Sequence, residues 1–316
     1  MTAAPRVPAT GRPSAGLLPA GVLPAGVLPG GVLPAGVRSG GRSAGASGGS
    51  APPLVAVAHG TRNAAGVAVT RALAARVRAL RPGLRVELAH LDLVEPSLPT
   101  VLAGLRGRVV VVPLLLGAGY HVRADIPAVL AAAPRVTARV ARALGPDPLL
   151  ADALGDHLAA AGRRPGDGPV VLAAAGSTDP RANADAAAMA VLLRERLPDG
   201  PEVVPAYLCA AGPTPAEAVA ALRAEGHARV SVAGYLLSPG FFADRAARSG
   251  GSLLSAPLGT HEAVARLVLR RYDEARAAGA GGATAVRGDA DRSGRVRDDA
   301  DRGGTVRDAV AVDPVG

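Results

Sequence analysis

Four side chains able to bind a metal ion or move a proton, His59, His90, Asp92 and His121, fall just beyond short apolar runs of the chain. His59 lies in Ala58-His59-Gly60-Thr61-Arg62, and His121 in Gly119-Tyr120-His121-Val122-Arg123-Ala124-Asp125. Two imidazoles and a carboxylate from three strand ends can converge on one divalent first-row ion and leave coordination positions open for exchange. Neutral imidazole suits Fe²⁺, Co²⁺ or Ni²⁺, and a set this small releases them, as a closed thiolate cage would not. The single cysteine, Cys209, excludes a disulfide framework and a thiolate zinc site within one chain. It reads as a small buried hydrophobe in a protein of the reducing cytoplasm. Other assignments stay open beside these. His90 can be a polar neighbour of the site, Asp92 a ligand or a loop or helix-capping residue, and Asp125 a base or the N-cap of a following helix. His157, His227 and His261 read as solvated surface.

The elements that must position these residues follow from hydrophobic periodicity. Leu54 to Ala58 is a short apolar strand, the alanine-rich stretch from about Ala65 to Leu80 an amphipathic helix, and Pro82-Gly83 its stop. Arg85 to Leu91 alternates as a second strand, Pro96 to Leu105 reads as a short helix, and Val109 to Leu116 as a buried strand. Continuous β-branched runs between helices predict a parallel sheet covered on both faces.

The same order returns about 115 residues later. Val170 to Ser177 matches the first strand and its loop, Ala182 to Leu197 the first helix, Glu202 to Leu208 the second strand, Pro215 to Leu222 the short helix, and Arg229 to Leu237 the buried strand. The expected fold is therefore α/β, with two duplicated domains, each a small parallel sheet flanked by helices, and a cleft between them as the ligand site. Ligands of such sheets sit beyond the carboxyl ends of the strands. The second copy has Ala175 in place of His59, Cys209 near Asp92, and Phe242 in place of His121, so the copies diverge where metal would bind.

Composition divides the 316 residues into four segments. Residues 1–50 carry a repeated Leu-Pro-Ala/Gly-Gly-Val pentad, whose prolines break helix and strand alike, and read as a disordered leader. Residues 51–165 and 166–276 hold the two domains. Residues 277–316 carry an Arg/Asp ten-residue repeat with six Arg against seven Asp and read as a disordered tail. The net charge of +9 becomes +6 over residues 51–276, which suits a polyanionic partner. Six aromatic residues supply few stacking platforms, so no nucleic-acid partner is expected. No run of about 18 apolar residues spans a membrane.

The segments Ala58-His-Gly-Thr-Arg62, Glu95-Pro-Ser-Leu98 and Pro113-Leu-Leu-Leu-Gly-Ala-Gly-Tyr-His-Val-Arg-Ala-Asp-Ile-Pro127 resemble the class II tetrapyrrole chelatases, above all the sirohydrochlorin chelatases of siroheme and cobalamin synthesis. The resemblance runs over roughly residues 53 to 273. It implies a chelatase-like fold, with His59 and His121 as catalytic metal ligands and Asp92, in place of a Glu, as a third. It also implies insertion of Fe²⁺ or Co²⁺, the metal being a substrate, into sirohydrochlorin with release of two protons. One of the histidines, or Asp92, would serve as the base. Arg62 and Arg123 would pair with substrate carboxylates, and Ser177, with Thr178 and Arg181, would close the other side. No organic cofactor is implied, and the cysteine-ligated iron–sulfur cluster of some longer members has no counterpart, so none is expected. The polyanionic tetrapyrrole is the expected partner, and the chain a cytoplasmic monomer or homodimer. A metal-binding or delivery protein of the same fold, without tetrapyrrole turnover, and a non-catalytic ligand-binding protein are the alternatives.

Overall fold

A computed structural model describes residues 51–278; the expected leader and nearly all of the expected tail lie outside the described residues. Eight strands form two parallel four-stranded sheets. In the first, β1 (Leu54–Ala58), β2 (Val86–His90), β3 (Gly107–Pro113) and β4 (Val136–Val140) take the order β2-β1-β3-β4. In the second, β5 (Val170–Ala174), β6 (Val203–Tyr207), β7 (Ser231–Tyr235) and β8 (Leu253–Leu254) take the matching order β6-β5-β7-β8. The registers match too, because Leu54 pairs with Val86 and Val110 as Val170 pairs with Val203 and Ser231.

Helices α1 (Ala64–Leu80), α2 (Leu98–Ala103), α3 (Ile126–Ala131) and α4 (Pro148–Ala160) follow the strands of the first half. Helices α5 (Pro180–Arg196), α6 (Pro215–Ala224), α7 (Phe241–Ala247) and α8 (Glu262–Ala277) follow those of the second. The short helix expected over residues 96–105 is confined to Leu98–Ala103, and the third strand ends at Pro113, three residues early. Leu114, Leu115 and Leu116 leave the sheet to build the cavity wall instead. Asn63 starts α1 by accepting from the Gly66 amide, and Asp179 starts α5 by accepting from the Arg181 amide. A side-chain acceptor at this position satisfies one of the free amides of a first helical turn.

Alternation along β1 divides the core into layers. Leu54, Ala56 and Ala58 belong to a core shared with Val170, Leu172 and Ala174 of β5, whereas Val55 and Val57 pack outward with Leu98, Leu102, Ile126 and Leu130 of α2 and α3. The shared core includes Leu150, Leu154 and Leu158 of α4 and Val264, Leu267 and Val268 of α8. The last helix of each half crosses over. Helix α4 packs on α5 and β7 of the second half, while α8 packs on α1, β3 and β4 of the first. Arg271 on α8 locks this exchange. Fully buried, it donates to the carbonyls of Ala143 and Leu144 at 2.9 and 2.7 Å and to the Asp147 carboxylate at 2.9 Å.

Candidate metal and substrate site

Both sheets present the carboxyl ends of their strands to one cavity of about 660 Å³. From the first half it is lined by His59, Gly60, Thr61, His90, Leu93, Leu114–Gly117 and Gly119–His121, and from the second by Ala175–Thr178, Tyr207 and Tyr235–Phe242.

His59 follows the last residue of β1, and a tight turn places it. Gly60 has φ +102, and a Cβ there would collide with the carbonyl oxygen of Asp92. The turn is held to the β2 loop by the Asp92 amide, which donates to the His59 carbonyl at 3.0 Å. The second half repeats it atom for atom, with Gly176 at φ +87 against the Cys209 carbonyl and the Cys209 amide donating to Ala175 at 2.9 Å. The backbone device is thus common to both halves, and only the first carries an imidazole on it.

His121 opens a π-helical turn, His121–Asp125, that runs directly into α3. Its ring meets that of His59 edge to face, with centroids 4.5 Å apart and planes at 88°. Nδ1 of His121 lies 2.5 Å from Oδ2 of Asp125, and Nδ1 of His59 lies 3.3 Å from the Gly60 carbonyl. Acceptors at both Nδ1 atoms hold the proton there and leave the Nε2 lone pairs for a metal ion or a proton. Asp125 is therefore not a helix N-cap. Its backbone is already helical, at φ −68 and ψ −46, and its carboxylate caps no amide.

The other residues expected at the site are placed differently. Asp92 is exposed and outside the cavity lining, and its carboxylate accepts from the neighbouring Leu93 amide at 2.7 Å. The structure does not bring it to the two histidines: its backbone is committed to the His59 turn, and its side chain folds back on its own loop. His90, at the end of β2, does line the cavity. It is 1% exposed, with Nδ1 3.3 Å from the Pro96 carbonyl. Arg123, expected to meet substrate, is instead ion-paired with Asp179 at the start of α5 and ties the two walls together. Two further ties cross the cleft, the Ala118 amide to Asp185 at 2.9 Å and the Tyr235 hydroxyl to the Leu116 carbonyl at 3.0 Å. Burial pushes the Tyr235 pKa far up, so the group remains a donor.

Arg62 is exposed beside the lining residue Thr61, and Arg181 is exposed on the first turn of α5. No arginine lines the cavity among the described residues, so the net charge of +6 over residues 51–276 does not lie on its walls. Ser177 lines the second wall, but its backbone is held by both ends of the Asn183 amide side chain and its hydroxyl by the Asp179 amide. His157 and His261, expected to be solvated, pack against each other at 5.4 Å, and His261 caps α8 by accepting from the Ala263 amide. Three features escaped the sequence reading: the Asp125 partner of His121, and the exposed rings of Tyr120 and Phe241 on the cavity. The first was signalled by its i,i+4 spacing on a helix.

Paired four-stranded parallel sheets with helices on both faces, sharing one cleft at their carboxyl ends, define a chelatase-like fold. The structure superposes on SirB of Bacillus subtilis, solved with Fe³⁺, with a TM-score of 0.64, 27% identity, and coverage of 73% of this chain and 97% of that one. It also superposes on the sirohydrochlorin chelatase SirB of Bacillus subtilis subspecies spizizenii, solved with cobalt, with a TM-score of 0.62, 24% identity, and coverage of 73% and 97%. In sequence it is 30% identical over 205 residues to the sirohydrochlorin ferrochelatase of Bacillus subtilis strain 168, covering 60% of this chain and 78% of that protein. The CbiX family model matches twice, over residues 53–161 and 169–275, and the chain belongs to the CbiX family.

Proposed function

We propose that this protein is a sirohydrochlorin chelatase that inserts Fe²⁺ or Co²⁺ into sirohydrochlorin, with His59 and His121 as the residues that hold the incoming metal. The observation that carries the reading is the edge-to-face pair of these two rings on the shared cavity, each with an acceptor at Nδ1 and, among the described residues, no hydrogen-bond partner at Nε2. Two neutral nitrogens make a ligand set that binds a first-row divalent ion and yields it to four pyrrole nitrogens. The balance of the reaction is one divalent ion and one tetrapyrrole carrying two pyrrole N–H groups in, and one metal complex and two protons out. As the ion passes to the macrocycle, each imidazole Nε2 regains its lone pair and can accept one of those protons within the cavity.

The wall composition suits this substrate. Leu93, Leu114, Leu115, Leu236 and Leu237 offer apolar contact to a flat macrocycle, and its carboxylates would extend toward Arg62 and Arg181 at the rim. Arg123, bound to Asp179, keeps the walls in register instead of meeting a carboxylate. Ser177 and Thr178 border the opposite wall. Asp92 could complete the ligand set only by releasing the Leu93 amide. One chain supplies both walls, so the reading calls for no second copy; it involves neither nucleic acid nor membrane, and places the reaction in the cytoplasm. Among the described residues no helix is long and apolar enough to cross a membrane. The test is absorption spectroscopy of sirohydrochlorin incubated anaerobically with Co²⁺ or Fe²⁺ and the full chain. Conversion well above the uncatalysed rate is expected, and a rate equal to it would overturn the proposal.

A further inference from the structure

The chain has four tyrosines and two phenylalanines. Tyr207, Tyr235 and Tyr272 are buried and Phe242 half-buried, whereas Tyr120 and Phe241 stand 68% and 67% exposed. Both exposed rings border the same cavity, one from each half. The duplication relates them. Val110 and Ser231 hold the same register against β1 and β5, and counting on from them aligns Tyr120 with Phe241 and His121 with Phe242. Each ring sits where a helical segment begins, Tyr120 just before the π-helical turn and Phe241 as the first residue of α7. Phe241 is steadied by the Phe242 ring, with centroids 5.5 Å apart, and by the Arg245 guanidinium 5.8 Å from its centroid.

Large rings left in water at equivalent places on both walls of one cleft carry apolar surface that neither core uses, although the chain buries or half-buries every other aromatic it has. We infer that Tyr120 and Phe241 are a pair of aromatic lips that bind the conjugated faces of the tetrapyrrole by stacking, an assignment that rests on the chelatase reading above. Offset stacking needs only a flat π-face on the ligand, which the macrocycle provides, and a ring with few rotatable bonds to order. The lips set affinity for the macrocycle, and the two histidines set affinity for metal.

The experiment compares the full chain with Y120A, F241A, the double alanine variant and the conservative pair Y120F and F241Y. Sirohydrochlorin is titrated by absorbance without metal, and Co²⁺ is titrated separately. Each alanine variant is expected to weaken sirohydrochlorin binding about fivefold and the double variant about twentyfold, with the conservative variants within about twofold of wild type. Co²⁺ binding should be unchanged throughout, which also shows that the cavity is intact. Unchanged sirohydrochlorin affinity in the double variant, against a wild type that binds it, overturns the aromatic lips alone. A wild type that binds no sirohydrochlorin overturns both the lips and the chelatase reading.

Discussion

Oδ2 of Asp125 lies 2.5 Å from Nδ1 of His121, one helical turn along the chain. The second half has neither member of this pair, with half-buried Phe242 and buried Ala246 in their places, packed into that half's outer core. A carboxylate behind an imidazole fixes the tautomer and orients the ring toward a metal ion. Asp125→Ala should therefore weaken Co²⁺ binding about 10- to 100-fold while leaving sirohydrochlorin binding nearly intact, as checked by parallel titrations. Asp125→Glu should recover part of the loss.

The two glycine turns separate stability from chemistry. Gly60→Ala puts a side chain at a left-handed φ and against the Asp92 carbonyl; Gly176→Ala does the same against the Cys209 carbonyl. The conformational cost alone is about 1–2 kcal/mol in each. Both variants should unfold at lower denaturant, but only Gly60→Ala should also weaken Co²⁺ binding, because only that turn carries a histidine. Equal Co²⁺ affinities would show that the turn does not position the metal site.

Arg271 should be among the costliest residues to remove. It is buried, burial lowers its pKa, and it still meets two carbonyls and the buried Asp147 carboxylate. Arg271→Ala leaves the Asp147 carboxylate to Arg270 and the Leu149 amide alone and takes the donor from the Ala143 and Leu144 carbonyls, which should cost about 1–3 kcal/mol. Denaturant unfolding measures the loss, and limited proteolysis should show early cleavage around α8, the helix that covers the first sheet.

Asp199 predicts an acid-side stability limb. The Arg163 guanidinium hydrogen-bonded to it, at 2.8 and 3.1 Å, holds its carboxyl below the ordinary carboxylate range. A folded pKa below the unfolded one makes the unfolded chain take up the proton first. The stabilisation is therefore full above the ordinary value near 4 and fades as pH falls through the lower folded value. Asp199→Asn should lower the melting temperature at pH 7, with a gap to wild type that narrows below about pH 4.

Much of the fold was legible because its signals are local. The runs Leu54–Ala58 and Val170–Ala174 and the helices after them repeat in one order, and both sheets follow from that repeat. The exchange of α4 and α8 was not legible, since each helix is amphipathic whichever sheet it covers, and only long-range packing chooses. At the site, His59 and His121 stood out by their positions after strands. The fates of Asp92 and Arg123 did not, because each is decided by a partner distant in sequence or by a loop conformation: Asp92 by the turn that holds Gly60, Arg123 by Asp179 on the other wall. Net charge over residues 51–276 said nothing of where that charge sits, and the cavity itself is lined by leucines and histidines with no arginine among the described residues.

The most direct test is the initial rate of Co²⁺ insertion into sirohydrochlorin by the His59→Ala, His121→Ala double variant, measured beside wild type at matched, saturating tetrapyrrole. Loss of one well-placed acid–base group alone is worth about 10²- to 10⁴-fold, and removal of both metal-holding nitrogens should bring the rate to the uncatalysed level while sirohydrochlorin still binds. A double variant that inserts Co²⁺ at the wild-type rate would contradict the assignment of the histidine pair as the seat of metal insertion.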